Sequence, residues 1–167
     1  MTTNANNLQK LLIEKKYSKL IFLIENTLDE KDLTGGILNL LGVARVLRGP
    51  REPEILVESI KNFKECYFKE KYSKIGLDGL SNLINTSVGL FDLKYKPNEV
   101  NSFYQDLEQL ITYFKEAESH FGYNSQLVSS IIKVYKRLND IDSAIFYLEE
   151  LIKNNNAKLS NICSYIY

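Results

Sequence analysis

An all-α fold of stacked antiparallel helix pairs is what this sequence predicts, on three observations. Apolar residues recur at helical spacing through most of the 167 residues. No stretch of useful length alternates apolar and polar residues as a half-buried strand would. The breaks between periodic segments are short, carried by Pro50, Pro53, Pro97, the Gly35-Gly36 pair, Gly122 and Asn139-Asp140.

Taken in order, Leu8, Leu11 and Leu12, then Leu20, Ile21, Phe22, Leu23, Ile24 and Leu28, give a first pair over about 5–30, broken near Lys15-Lys16-Tyr17. The second pair, 35–72, has Ile37, Leu38, Leu41, Ala44 and Leu47 on a helix that stops at Gly49-Pro50. Ile55, Leu56, Ile60, Phe63 and Tyr67 lie on a longer helix opened by Pro53, whose fixed φ suits a first turn. In the third, 74–121, Leu77, Leu80, Leu83, Ile84, Val88 and Phe91 precede Pro97, and Val100, Phe103, Leu107, Leu110, Ile111 and Phe114 follow it. The fourth, 125–156, carries Val128, Ile131 and Tyr135, then Ala144, Leu148 and Leu151, around Asn139-Asp140. Asn tolerates left-handed backbone and Asp can accept the first N–H groups of the next helix, so that polar pair is an elbow.

Composition narrows the functional classes. The chain is 44% apolar, which excludes a disordered polymer, and its 21 basic residues equal its 21 acidic ones, so no net field would draw it to nucleic acid or anionic lipid. Its start lacks a basic stretch followed by an apolar one, and the longest strong apolar run, Leu20 to Ile24, is too short to span a bilayer. A soluble cytoplasmic protein of one domain, 1–167, is expected, with no nucleic-acid or membrane partner. Cys66 and Cys163 stand far apart within apolar helical patterns and are expected as buried small hydrophobes.

A helix pair repeated along a chain implies units that bury their faces against neighbours. Residues 125–158 fit a pattern of about 34 residues, with Ala144 at the small position where two helices cross. "LNLLGVARVLRGP" places Leu38, Leu41, Gly42 and Gly49 on its first-helix and turn positions, followed by Ser59, Phe63 and Cys66 on the second helix. On these residues the chain resembles the tetratricopeptide repeat (TPR) family, most closely over 125–158. The sequence departs from the pattern at Ile132 (usually small), Arg45 (usually aromatic) and Asn156 (usually proline), and 74–124 is too long for one repeat.

The resemblance implies a right-handed α-solenoid of about four hairpins plus a short C-terminal helix, whose first helices line a concave groove for a peptide or partner helix. By analogy with the family's groove positions, the lining would be Asn39, Val43 and Val46, then Asp78, Asn82 and Asn85, then Ser129, Lys133, Lys136 and Arg137. Lys133, Lys136 and Arg137 fall at i, i+3 and i+4, one helical face that could hold a carboxylate or phosphate, although such faces are usually just solvated. The family's carboxylate clamp is not reproduced, since Val43 and Gly79 stand where polar groups are needed.

No catalytic, cofactor or metal motif emerges. His120, the single histidine, sits at a helix end, where its charge suits the dipole. The Gly35-Gly36 pair lacks the lysine and spacing of a phosphate loop and reads as a loop leading into a helix. Glu52, Glu54, Glu149 and Glu150 have no spacing that turns two carboxylates into one cleft. The aromatic stripe of Tyr104, Tyr113, Phe114, Tyr135 and Tyr147 reads as core. The segment 158–167 is apolar and helix-compatible; it could pack back as a cap, meet a second copy, or lead into a further domain. The expected function is therefore a non-catalytic protein-interaction module; the alternative is a substrate-recruiting N-terminal TPR segment of a bacterial glycosyltransferase or sulfotransferase.

Overall fold

The computed structural model describes residues 5–49, 52–94 and 101–155, and these form eight α-helices with no strand. The helices are α1 (Ala5–Ile13), α2 (Tyr17–Thr27), α3 (Gly35–Arg48), α4 (Pro53–Lys69), α5 (Lys74–Lys94), α6 (Asn101–Phe121), α7 (Ser125–Arg137) and α8 (Ile141–Asn155). A 3-10 turn, Glu30–Asp32, precedes α3. The chain divides into two compact units, Met1–Thr86 and Ser87–Tyr167, so the division falls inside α5.

Local chemistry sets the helix ends. At α7 the break has Asn139 at φ 58°, with Asn139 N donating to Lys136 O at 3.2 Å and Asp140 N to Tyr135 O at 2.9 Å. Two carbonyls that α7 leaves open are closed by this crossed pair of bonds. Asp140 Oδ1 then accepts from Ser143 N at 3.1 Å and starts α8. The same device ends α1: Lys15 lies at φ 56°, Lys15 N reaches Leu12 O at 3.0 Å and Lys16 N reaches Leu11 O at 2.9 Å. Gly122, at φ 72°, ends α6 with N donating to Glu118 O at 2.8 Å. Asn124 caps α7 by accepting from Leu127 N at 2.9 Å, and Pro53 stands in the first turn of α4.

Lys15 occupies a position that glycine fills at no steric cost, while an L side chain there is strained by about 1 kcal/mol. Lys15→Gly is expected to raise the unfolding free energy by a few tenths to about 1 kcal/mol, net of the chain entropy that glycine adds to the unfolded state. A urea titration followed by circular dichroism checks this; a fall in midpoint would show that the Lys15 side chain does more than tolerate the turn.

In the first unit, Leu8, Leu20, Ile21, Ile24, Ile37, Leu41 and Ala44 form one buried cluster across α1, α2 and α3. Phe22 and Leu47 are exposed (61% and 52%), because five consecutive apolar residues cannot all share one helical face and Leu47 lies off the inward stripe of α3. α3 meets α4 closely at Gly42, where an added Cβ would lie 2.5 Å from Phe63 Cε1. α4 meets α5 at Gly79, where an added Cβ would lie 2.7 Å from Cys66 Sγ. Gly35 and Gly36 belong to the first turn of α3, not to a loop leading into it: Thr34 is the cap, its hydroxyl accepting from Ile37 N at 3.4 Å. The Glu70 side chain lies where a Cβ at Gly35 would go, so a larger residue there would have to displace it.

In the second unit, α7 packs between α6 and α8. Phe114 and Tyr135 are buried with Tyr147, while Tyr104 and Tyr113 are half-buried. The Tyr147 ring stacks on Tyr135 (centroids 5.6 Å apart, planes at 12°) and meets Phe114 edge-on (5.1 Å, 87°). Its hydroxyl donates to Glu118 Oε2 at 3.1 Å. Val128, Ile131, Ala144 and Leu151 are buried as the spacing predicts, and Leu148 is half-buried. Cys66 is likewise buried. Pro50, Pro97, Val100, Asn156, Cys163 and the segment 158–167 lie outside the described residues, as does the side chain of Phe103.

Both tyrosines hold their protons more tightly than an ordinary phenol: burial is the main cause, reinforced by Glu118 at Tyr147 and by Asp140 at Tyr135. The folded state therefore binds these protons better than the unfolded one. Their stabilisation is complete below the ordinary phenol range near pH 10 and is lost as pH climbs above it. The unfolding midpoint is expected to hold from about pH 7 to 9 and to fall above about pH 10, less steeply in Tyr147→Phe. An identical alkaline slope in that variant would exclude Tyr147 as a source.

Candidate functional site

The half-buried positions that the resemblance assigns to a groove fall on α3, α5 and α7, and on each helix their spacing puts them on one side. Asn39, Val43 and Val46 stand at i, i+4 and i+7 on α3, and Asp78, Asn82 and Asn85 repeat that spacing on α5. Within the first unit the two stripes meet: Asn82 Nδ2 donates to Asn39 Oδ1 at 2.9 Å. Asn85 instead turns back on its own helix, Nδ2 donating to Ser81 O at 2.9 Å.

Beside the Asn39–Asn82 bond lies a cleft of about 350 Å³, whose walls include Asn39, Leu40, Glu70, Ile75 and Asp78. The family resemblance pointed to Asn39 and Asp78 but not to Glu70, which is the C-cap residue of α4 and carries no short-range signal linking it to α3 or α5. Glu70 Oε2 accepts from Ser73 Oγ at 3.3 Å.

In the second unit, Ser129, Lys133, Lys136 and Arg137 share one side of α7 and are half-buried. The guanidinium of Arg137 forks onto Asp92 of α5, Nε to Oδ1 at 3.0 Å and Nη2 to Oδ2 at 2.7 Å. This two-point pair matches the guanidinium charge within the fold. Burial, then the positive charge of Arg137, lowers the Lys133 ammonium from its ordinary range. Lys133 and Lys136 each make interactions of their own.

A second cleft of the first unit, about 300 Å³, is organised by Arg45 between α2 and α4. Its Nη2 donates to Glu25 Oε1 at 2.6 Å and its Nη1 to Glu58 O at 3.5 Å, so the guanidinium ties three helices at the position where the repeat pattern has an aromatic.

Burial, helped by the charges of Glu70 and Asp78, pushes the Cys66 thiol up to about 12, and a protonated, buried thiol is inert. His120 is exposed in the last turn of α6, edge-on to Phe121 at 4.6 Å. Among the described residues no cluster of His, Cys, Asp and Glu could hold a metal ion, and no helix is long and apolar enough to cross a membrane. No family model, curated protein or solved structure matches the chain.

Proposed function

We propose that the chain is a non-catalytic interaction module of TPR type, binding a peptide or partner helix across the side chains of its first helices. The Asn82–Asn39 bond carries this reading, because it joins the first helix of the second pair to the first helix of the third. Repeat stacking requires such neighbours. Within the first unit α1 also packs on α3, and within the second Arg137 ties α7 to α5. Half-buried amides and valines side by side suit a peptide, whose backbone needs hydrogen bonds and whose side chains need apolar seats.

Selection of a random dodecapeptide display library against the full chain tests the proposal. Enrichment of a consensus is expected, and calorimetry should find that Asn39→Ala or Asn82→Ala weakens the synthetic consensus peptide about tenfold, the effect of one hydrogen bond left unmade. No enrichment above an unrelated helical protein, or a consensus indifferent to both substitutions, would overturn it.

A further inference from the structure

We infer that the 350 Å³ cleft of the first unit seats a cationic side chain, arginine or lysine, of an extended bound peptide. This rests on the peptide-binding reading and adds the chemistry of the ligand. The charged residues lining the cleft are Glu70 and Asp78, and no cation is among them. Both raise the Cys66 thiol, so the fields of the two carboxylates converge on one small region.

That negative charge is not there to start helices. The two starts alongside are capped by neutral hydroxyls: Thr34 accepts from Ile37 N at 3.4 Å, and Ser73 Oγ accepts from Gly76 N at 3.2 Å. Glu70 stands at the C-cap of α4, where the helix dipole disfavours an anion. Among the described residues no cation pairs with either carboxylate, and Asp78 accepts no hydrogen bond. Lys69 and Lys71 flank Glu70 in sequence; Lys69 Nζ lies 3.0 Å from Glu65 Oε1 and 2.9 Å from Leu33 O, and Lys71 Nζ lies over the Tyr72 ring, 5.9 Å from its centroid.

The remaining surfaces complete the fit. Ile37, Leu40 and Ile75 offer an apolar seat for a long aliphatic stem, and the carboxylates receive its charged head. The Asn39–Asn82 pair stands beside this seat and is placed to take peptide N–H and C=O groups. A volume of about 350 Å³ holds a side chain of this size with part of its backbone.

The test uses the full 15N-labelled chain and two blocked pentapeptides, Ac-Ala-Ala-Arg-Ala-Ala-NH2 and its citrulline counterpart, isosteric but neutral. The arginine peptide is expected to shift the amides of Gly36, Ile37, Asn39 and Asp78 saturably, and the citrulline peptide to bind at least about tenfold more weakly. Glu70→Gln with Asp78→Asn, changes of charge without change of shape, should erase that preference while leaving the rest of the spectrum in place. The inference is overturned if the arginine peptide causes no saturable shift at those amides, or if the two peptides bind equally. A library consensus that binds this face without any basic residue would overturn it and leave the peptide-binding reading standing. No consensus at all would overturn that reading itself.

Discussion

Replacing Phe63 by alanine is expected to lower the unfolding free energy by about 3–5 kcal/mol, because a fully buried aromatic leaves both lost transfer energy and a cavity. What makes the site diagnostic is its neighbour. The Phe63 ring fills the space over Gly42, where an added Cβ would lie 2.5 Å from Cε1 and 2.8 Å from Cζ. Gly42→Ala, which in an exposed helix would gain about 1 kcal/mol, should here cost about 1–3 kcal/mol through overpacking. Once Phe63 is alanine the clash is gone, and the same glycine change should turn stabilising. Urea titrations of both single variants and the double one read the sign change; simple additivity would mean that α3 and α4 do not meet ring against backbone.

In the second unit the corresponding loss is at Tyr147, where alanine is expected to cost about 3–5 kcal/mol. Two aromatic contacts end together there, the stack on Tyr135 and the edge contact with Phe114, and α8 loses its large anchor against α6 and α7. Tyr147→Phe separates ring from hydroxyl. It keeps the packing and removes one donor from the half-buried Glu118 carboxylate, so about 1–2 kcal/mol is expected. Thermal unfolding of the two variants should rank them in that order. Equal losses would place the effect in the hydroxyl and remove the stack as the holding element.

Chemistry that acts within a few residues was legible in the sequence. Asn139-Asp140 was readable as an elbow because left-handed tolerance and capping are properties of those two residues, and the helices were readable from apolar period alone. The break at Lys15 could be located, but lysine gives no hint that it holds positive φ; the crossed bonds to Leu11 and Leu12 decide that. Pairings distant in sequence were not legible. Nothing near Arg137 announces Asp92 on another helix, and nothing near Gly42 says that a phenyl ring will cover it. Asn39 and Asp78 could be chosen by analogy with the resembled family's groove, yet Glu70 joins them only because α4 ends beside the start of α3. The Glu30–Asp32 turn is too short to leave a periodic trace.

Cys66, sealed between α4 and α5 with its Sγ 3.6 Å from Ile75 O, has a practical consequence. A thiol-modifying reagent can reach it only when that seam parts, so with Cys163 changed to serine the labelling rate becomes a clock for how often α5 lifts away. A guest seated between Glu70 and Asp78 would clamp those same two rods, and the clock should slow in proportion to its occupancy.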